Sequence, residues 1–547
     1  MPPAPILDIL HSMPIRMEFR SPERTLPESF MFTRSMTSCF IALAIFASPP
    51  PAHAQAQVSG AEVARAFREA NGPRILREYA ALLSLPNVAS DSAGIWSNAE
   101  YIRGSLARQG VNARLLTLPG ANPIVFGELR VPDATRTLGL YVHYDGQPAD
   151  ATNWTHDPWT PVLYSRSMES GGEAIPFPED GEAVDPDWRI YARSAGDDKT
   201  PIGAMLSALE AFREGGVAPT SNLVFFFEGE EEAGSVNLGR YLEEFQGLVE
   251  DVDVWLLFDG PVHQSGRPLL AFGVRGVTGM EVTVYGPIRP LHSGHYGGWV
   301  PVPGQMLAHL LASMKAEDGT VLVKGFYDSV EPIGDFEREA LNRLPRYDEE
   351  LKEELGLART EGGGATLAER LMLPSLTIRG LSSGNTGRLA RNVIPATATA
   401  TLGMRLVKGN DPVQMQDLVE AHIRKEGYHI VREDPDMEAR LRYPRIARVD
   451  RGSNGYPAAR SSMELPILQD VVAAARRAAG GEEVVLAPGM GGSLPLYLFT
   501  EGQKKPILIV PIANHDDLQH APDENLRVWN LWYGIDLYAQ LFTMPPE

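Results

Sequence analysis

The sequence predicts an α/β protein whose central, mostly parallel sheet is covered by helices on both faces. Four apolar runs of strand length recur along the chain, at residues 138–144, 222–227, 252–258 and 506–512. Because these runs are apolar almost throughout, instead of alternating with polar residues, they are typical of parallel strands buried on both faces. A helical pattern between the first two runs supplies the alternation of strand and helix that an α/β fold requires.

That helix is predicted over residues 201–213, where apolar residues recur at helical spacing. Pro201 suits its first turn, and Gly215 followed by Gly216 ends it. In open sheets of this type, ligands bind beyond the carboxyl ends of the strands. The polar residues that follow the predicted strands are therefore the first candidates for a functional site.

A second domain is predicted where the pattern changes near Gly276. Residues 277–285 alternate like a half-buried strand, residues 305–314 are amphipathic, and strand-like alternation returns at 396–406. The polar stretch 316–369 between them has no recognisable role. We predict this division of the chain: leader and signal peptide 1–54, catalytic domain 55–275, inserted α+β dimerisation or lid domain 276–404, and second part of the catalytic domain 405–547.

The composition describes a folded, acidic protein. The 547 residues are 44% hydrophobic and carry 49 Lys and Arg against 70 Asp and Glu, a net charge of −21. This length exceeds what one core usually supports, so more than one domain is expected. The negative charge argues against nucleic acid or an anionic membrane as a partner, since both need basic patches.

The N-terminus predicts a protein that is exported. An apolar run at 39–47 precedes three prolines and the small-residue pattern Ala52-His53-Ala54. This pattern is typical of a secretory signal peptide cleaved after Ala54, which implies a periplasmic or secreted protein. Cys39, the only cysteine of the sequence, lies inside that segment. The mature chain would then have neither disulfides nor a cysteine nucleophile, and no lipid anchor is predicted.

Histidines and carboxylates at strand ends predict a pair of divalent metal ions. His143, Asp197, Glu232, Asp259 and His520 all follow apolar runs or precede the predicted helix. Imidazole with carboxylate suits zinc, cobalt or manganese. A two-metal site needs one carboxylate that bridges the ions, and Asp197, just before the helix, is placed to do so.

Each of these residues alone has a simpler interpretation. A single His-x-Asp pair most often consists of polar residues on the surface or beside a ligand. Residues 228–232 could be a solvated acidic loop, and Asp259 with Gly260 could be an ordinary turn. Asp197 and Asp198 could cap the helix that follows. The joint placement of these clusters next to strands and a helix favours the metal site.

Six segments carry a resemblance to a known family: 141–145 (YVHYD), 192–199 (ARSAGDDK), 228–235 (EGEEEAGS), 291–298 (LHSGHYGG), 392–395 (NVIP) and 405–407 (RLV). In this order they resemble the co-catalytic zinc peptidases, which include carnosinase-like dipeptidases, glutamate carboxypeptidases, aminoacylases and succinyl-diaminopimelate desuccinylase. The branch of carnosinase and the non-specific dipeptidases is the most similar. The resemblance extends from about residue 75 to the C-terminus.

The resemblance implies a role for each metal-site residue. Asp197 would bridge the metals, and the other ligands would be His143, Glu232, Asp259 and His520. Around His520 the sequence departs from the family pattern, since the spacing differs by one residue. His515, which is nearby, is therefore an alternative candidate for this metal ligand. We prefer His520 because Glu524 follows it at the expected place.

The resemblance also implies residues that act on the substrate. Asp145 would orient the imidazole of His143, and Glu231 would be the general base. His292 would reach the active site of the other subunit of a homodimer, although a turn histidine is the simpler interpretation. The resemblance assigns substrate binding to these residues: Arg405, Asn392, Gly491, Gly492 and Ser493. For Arg405, a surface salt bridge is the alternative.

The sequence therefore predicts a di-zinc metallopeptidase, a dipeptidase or a carboxypeptidase, that hydrolyses the amide bond of dipeptides or small peptides. An aminoacylase acting on N-acyl amino acids is the alternative. Two other classes fit less well. Residues 380–384 (GLSSG) match the nucleophile elbow of a serine hydrolase, but no helical pattern follows them. A metal-free binding protein on the same fold would have lost ligands, and all the expected ligands are present.

Overall fold

The computed structural model describes residues 59–453 and 455–546. The α-helices within these ranges are α1 (Gly60–Leu83), α2 (Ser92–Arg108), α3 (Lys199–Gly215), α4 (Leu238–Glu244), α5 (Ser293–Tyr296), α6 (Pro303–Met314), α7 (Asp335–Arg343), α8 (Asp348–Glu354), α9 (Leu367–Leu371), α10 (Pro412–Lys425), α11 (Met437–Arg442), α12 (Pro466–Ala478) and α13 (Val528–Phe542). Within these ranges, no helix combines the length and the apolar character that a membrane span requires.

The strands of the same ranges are β1 (Asn112–Leu116), β2 (Ile124–Leu129), β3 (Thr137–His143), β4 (Val162–Tyr164), β5 (Ala174–Ile175), β6 (Arg189–Tyr191), β7 (Asn222–Glu228), β8 (Val254–Leu257), β9 (Leu269–Ala271), β10 (Gly273–Val274), β11 (Gly276–Tyr285), β12 (Leu291–His292), β13 (Ser375–Ser382), β14 (Val393–Ile394), β15 (Thr397–Leu406), β16 (His429–Val431), β17 (Ile446–Arg451), β18 (Ala459–Arg460), β19 (Val485–Ala487), β20 (Ile507–Ile509) and β21 (Asn525–Arg527).

The predicted α/β fold is confirmed. Eight strands form one sheet in the order β1-β2-β7-β3-β8-β20-β9-β19. The central pairs β7/β3, β3/β8 and β8/β20 are parallel. Side chains of α1, α3, α12 and α13 form one core on the sheet, and α4 contributes Leu238, Tyr241 and Leu242 to the other. Helices therefore cover both faces, as the apolar strands require.

All four predicted strands are present, and the predicted helix is longer than expected. Strand β3 is buried along its whole length, as a central parallel strand should be. Helix α3 begins at Lys199, before Pro201, and ends where Gly216 adopts the left-handed conformation with φ of 66°. Asp198 is the residue before the helix, but its side chain makes no capping hydrogen bond. The simple capping interpretation is therefore wrong for Asp198.

A second sheet, in the order β13-β15-β11-β17-β16, carries its own core. Helices α6 and α10 pack on it through Leu307, Leu310, Met415 and Val419. Two strands of this sheet, β16 and β17, follow residue 404, so the sheet continues beyond the predicted end of the inserted domain. The predicted polar stretch 316–369 contains α7, α8 and the start of α9.

A third sheet has four strands in the order β21-β6-β4-β5. Two of its strands adjoin residues of the candidate site in the sequence. Strand β6 precedes Asp197, and β21 follows Glu524. The two strands pair antiparallel, with Tyr191 opposite Asn525. This pairing brings two chain segments that are remote in sequence to the same place.

Candidate active site

The predicted metal ligands lie where the strands of the main sheet end. His143 is the last residue of β3, and Asp259 stands two residues beyond β8. Glu232 follows β7, Asp197 precedes α3, and His520 lies between β20 and β21. This location at the carboxyl ends of parallel strands is the one expected for ligands in an open α/β sheet.

Asp197 joins the two histidines. Its Oδ1 lies 2.9 Å from Nε2 of His143, and its Oδ2 lies 3.0 Å from Nε2 of His520. The same nitrogen of His520 lies 3.2 Å from Oε2 of Glu232. The peptide bond between Asp197 and Asp198 is cis. One carboxylate therefore presents a separate oxygen to each histidine.

Two groups of side chains could each hold a metal ion, and they share Asp197. His143, Asp197 and Asp259 form one group, and Asp197, Glu232 and His520 form the other. Within each group the ligand atoms lie within 4.8 Å of one another. Nitrogen and carboxylate oxygen donors suit a borderline divalent ion. The arrangement fits a pair of such ions with Asp197 between them.

Asp145 connects His143 to the loop after β7. Its carboxylate accepts hydrogen bonds from the backbone N–H groups of Glu231 and Glu232, each at 3.0 Å. Nδ1 of His143 lies 3.1 Å from the carbonyl oxygen of Asp145 and 3.4 Å from its carboxylate. The carbonyl oxygen and the carboxylate of Asp145 therefore both face Nδ1 of His143. Its other ring nitrogen, Nε2, faces Asp197 and is left for a metal.

Glu231 lies beside the predicted metal ligands, and its pKa is raised. Its Oε2 is 4.0 Å from Nε2 of His143. Burial, the largest cause, raises the pKa of Glu231 well above its usual value, and the negative charges of Asp259 and Asp197 raise it further against the opposing charge of His143. A carboxylate with a raised pKa next to metal ligands is suited to accept and return a proton.

The charges of the site shift the pKa values of its ligands. Burial, followed by the charge of Asp197, raises the pKa of Asp259 to about 6. Hydrogen bonds with Asp197 and then Glu232 raise the pKa of His520 to about 10. Burial lowers the pKa of His143, but hydrogen bonds with Asp145 and Asp197 outweigh it, so the pKa lies well above its usual value. The carboxylates of the site thus stabilise positive charge close to them, and metal cations can supply that charge.

Known proteins share this arrangement of sequence and fold. The family model for Peptidase family M20/M25/M40 matches residues 139–544, most of the chain. The chain belongs to this family. It is therefore a peptidase hydrolase, and the resemblance in its motifs is confirmed.

Relatives of this M20 peptidase include dipeptidases. The Cys-Gly metallodipeptidase of Schizosaccharomyces pombe is 27% identical over 429 residues, covering 76% of this chain and 81% of that protein. The human β-Ala-His dipeptidase is 27% identical over 434 residues, covering 77% of each chain. The fungal Cys-Gly metallodipeptidases are cytosolic. The prediction of an exported protein is therefore wrong, and the predicted signal peptide lies outside the described residues.

Solved structures share the fold of this M20 peptidase. The M20 metallo-carboxypeptidase Sso-CP2 of Sulfolobus solfataricus is 25% identical with a TM-score of 0.68, covering 86% of this chain and 99% of that chain. The dipeptidase Dug1p of Saccharomyces cerevisiae is 23% identical with a TM-score of 0.67, covering 90% of this chain and all of that chain. The likeness spans both the main sheet and the second sheet.

Glu524 holds the loop of Asp197 in place, a role that the sequence did not reveal. Its fully buried carboxylate accepts hydrogen bonds from the backbone N–H groups of Gly196 and Asp197, both at 2.8 Å, and of Ser194 at 3.0 Å. Arg193 donates a fourth hydrogen bond at 2.6 Å. Glu524 therefore fixes the backbone that carries the shared ligand.

We expect Glu524→Gln to weaken metal binding. A neutral amide cannot accept all four hydrogen bonds, since its NH₂ group would face backbone N–H donors. Partners of this kind typically contribute about 10- to 100-fold to metal affinity. The measurement is a Zn²⁺ titration against a chromogenic chelator. Glu501→Gln, at a half-exposed carboxylate paired with Lys408, is the control, and equal affinities in the two variants would contradict the assignment.

The predicted substrate-binding residues lie in two places. Arg405 donates a hydrogen bond to Oγ of Ser493, and the carbonyl oxygen of Gly492 accepts from the backbone of Arg275. The salt-bridge alternative for Arg405 is absent among the described ion pairs. Asn392 is exposed, and its carbonyl oxygen accepts a hydrogen bond from the backbone of Ser293, next to His292.

His292 lies apart from the ligand cluster within this chain. It is exposed, its Nδ1 accepts a hydrogen bond from the backbone of Gly294, and its ring lies 4.6 Å from that of His295. None of its contacts in the described part of the chain reaches a predicted metal ligand. Within the described residues, His292 therefore lies outside the ligand cluster.

The structure also decides between competing sequence interpretations. His515 is exposed, and the carboxylate that it approaches is its neighbour Asp516 at 4.0 Å, so His520 is the histidine that joins the cluster. Ser382, in the segment that resembles a nucleophile elbow, ends strand β13 and is exposed. A short 3₁₀ turn at Gly387–Leu389 follows instead of a helix, so the serine-hydrolase interpretation has no structural support.

Proposed function

We propose that this M20 peptidase is a dipeptidase that uses two divalent metal ions. The observation that carries the proposal is the position of Asp197, which is common to both groups of ligand side chains. The relatives named above, a Cys-Gly metallodipeptidase and a β-Ala-His dipeptidase, support a dipeptide as the substrate. Zinc is the proposed metal, with cobalt or manganese as alternatives, because the donors are imidazole and carboxylate.

The proposed mechanism assigns each side chain a task. His143 with Asp259 would hold one ion, Glu232 with His520 the other, and Asp197 would contact both. When bound, the two ions would lower the pKa of a water molecule and polarise the scissile carbonyl. Glu231 accepts a proton from the attacking water and then donates it to the leaving amine. Asp145 keeps the imidazole of His143 in the tautomer whose Nε2 is free of hydrogen.

The substrate anchor is proposed to be Arg405. Its guanidinium is exposed and is oriented by Ser493, while Gly492, next to Ser493, has open space where a side chain would project. A guanidinium binds a carboxylate through paired hydrogen bonds, so it would hold the C-terminal carboxylate of a dipeptide. Asn392 would contact the substrate backbone from the partner subunit.

The proposed activity can be tested on the purified protein. We expect about two zinc, cobalt or manganese ions per chain after purification without chelator. Cys-Gly and β-Ala-His should be hydrolysed, and a chelator should abolish hydrolysis until metal is restored. Cleavage of N-acetyl amino acids but of no dipeptide would replace the proposal with an aminoacylase. Absence of metal, or hydrolysis that resists chelation, would contradict it.

A homodimer is proposed through the second sheet. Strand β13 is an edge strand, and large apolar side chains near it are exposed: Leu381 by 63%, Leu389 by 69% and Trp299 by 81%. His292 ends β12 and Asn392 directly precedes β14, the two strands that pair in a small sheet. We propose that residues from 276 to about 452 form the dimerisation domain, because the second sheet ends there.

A complementation experiment tests the role of His292. We expect His292→Ala and Glu231→Gln to be nearly inactive when each is alone. In a mixed dimer, the chain with intact Glu231 receives intact His292 from its partner, so one of two sites is complete. Random exchange of subunits should therefore restore about a quarter of the wild-type rate. Analytical ultracentrifugation verifies the dimer, and failure to regain activity in verified mixed dimers would contradict the role of His292.

A further inference from the structure

A mainly apolar cavity of about 280 Å³ lies between the loop after Asp259, the Gly489–Gly491 segment and helices α8 and α9. Its walls include Pro261, Leu351, Leu367, Leu371 and Met490. Sites for whole drug-sized ligands are typically about 300–1,000 Å³. At about 280 Å³ this cavity lies just below that range, and it has ample room for one large apolar side chain.

The helices of the polar stretch approach the loops that follow Asp259 and precede Ser493. A methyl group built on Gly491 would lie 3.3 Å from Cδ2 of Leu371, and one built on Gly260 would lie 3.8 Å from Cε of Met490. The rings of His263 and Tyr347 lie 5.8 Å apart. The cavity is thus lined by segments that are distant in sequence and pack close to one another.

Two polar side chains on the cavity wall, those of Asp348 and His263, already make hydrogen bonds. Oδ1 of Asp348 accepts a hydrogen bond from the backbone N–H of Leu367 at 2.7 Å, which joins α8 to the start of α9. Nδ1 of His263 lies 2.9 Å from Oγ of Ser265. Burial lowers the pKa of His263, which favours its neutral form. The occupant of this cavity therefore meets apolar surface rather than free charge.

The cavity wall includes residues that adjoin, along the chain, both the predicted metal site and the proposed anchor. Pro261 lies two residues after Asp259, at the metal site where the amide bond would be cleaved. Gly491 lies two residues before Ser493, which hydrogen-bonds Arg405, the proposed carboxylate anchor. The residue of a dipeptide that spans these two points is the C-terminal one, since its nitrogen belongs to the cleaved bond and its carboxylate to the anchor.

We propose that this cavity binds the side chain of the C-terminal residue and selects dipeptides in which that side chain is large and apolar. This proposal rests on the proposed function, because it uses the same metal site and anchor. It assigns a role to the segment 344–371, whose leucines form one wall. Leu351 and Leu367 are then specificity-determining residues that do not touch the reacting atoms.

The test fills the cavity and compares substrates. We expect Leu351→Trp to lower kcat/KM for Gly-Leu about tenfold or more, which is the range for changes of apolar volume in a pocket. Gly-Gly and Leu-Gly should be hydrolysed at the wild-type rate, because neither has a large C-terminal side chain. Leu355→Trp is the matched control, since Leu355 follows one turn later at the end of α8 and is 58% exposed. A second variant, Leu367→Trp, changes a half-exposed wall residue and should shift the selectivity in the same direction.

The outcomes separate this inference from the proposed function. If the wild-type protein hydrolyses none of the three dipeptides and neither Cys-Gly nor β-Ala-His, the dipeptidase proposal fails. If it hydrolyses Cys-Gly or β-Ala-His but none of the three, the dipeptidase proposal stands and the cavity proposal is overturned. If it hydrolyses them without preferring Gly-Leu, or if both tryptophan variants lower all three rates equally, the cavity is not a side-chain site. If the variants lower the rate for Leu-Gly selectively, the cavity binds the other residue and the proposal is overturned.

Discussion

Glu231→Gln is expected to lower kcat about 10²- to 10⁴-fold, the contribution typical of a general acid–base group. The amide cannot accept a proton from water or return one to the leaving amine, while its size matches that of the carboxylate. Since Glu231 belongs to neither ligand group, the metal content should remain that of the wild type. Single-turnover kinetics and elemental analysis on the same preparation measure both quantities.

The control for this variant is Glu243→Gln, at an exposed position of α4. It changes the same charge on the same domain and should leave kcat unchanged. Turnover like that of the wild type in Glu231→Gln would contradict the mechanism. If Glu231→Gln lost metal as well as activity, Glu231 would be a metal ligand and not the general base.

Asp197→Ala is expected to abolish metal binding at both positions. Asp197 supplies an oxygen to each ligand group, so its removal leaves His143 with Asp259 and His520 with Glu232. Metal content should fall from about two ions per chain toward none, and kcat/KM by about 10³-fold or more, because the ions supply several kcal/mol of stabilisation to the transition state. Elemental analysis and hydrolysis of Cys-Gly are the measurements.

Two further variants make this result specific. Asp197→Asn keeps the shape of the side chain but removes its charge, and we expect it to lose metal as well. Asp335→Ala removes a carboxylate that is 94% exposed at the start of α7 and should retain both ions. Retention of a full complement of metal by Asp197→Ala would rule out a shared ligand.

Strand positions could be predicted best where burial on both faces produces an unbroken run of apolar residues. Strands β3 and β7 are apolar along their length because both faces are covered, so their positions could be predicted within a residue or so. The candidate ligands His143 and Asp259 could be located because each stands at or just after the end of such a strand. His143 ends β3, and its distance to Asp197 follows from the way that β3 and α3 meet at one edge of the sheet.

Other parts of the site depend on contacts between remote segments and could not be predicted. Nothing local to Glu524 indicates that its carboxylate binds the backbone around Asp197, since that contact forms only when β21 pairs with β6. His515 and His520 are similar in sequence context, and only the fold of the loop after β20 separates them. The cavity wall formed by Leu351 and Leu371 likewise depends on tertiary packing.

Strand β20, which contains the fourth apolar run, lies between β8 and β9 in the main sheet. The centre of the sheet is thus completed by residues close to the C-terminus, and His520 follows this strand. During synthesis on the ribosome, the ligand group of His143, Asp197 and Asp259 emerges long before the strand that closes the sheet. Pairings between segments so far apart in sequence form slowly. A nascent chain would therefore expose the unpaired edge of β8 until β20 is synthesised, and exposed strand edges of this kind are prone to aggregation.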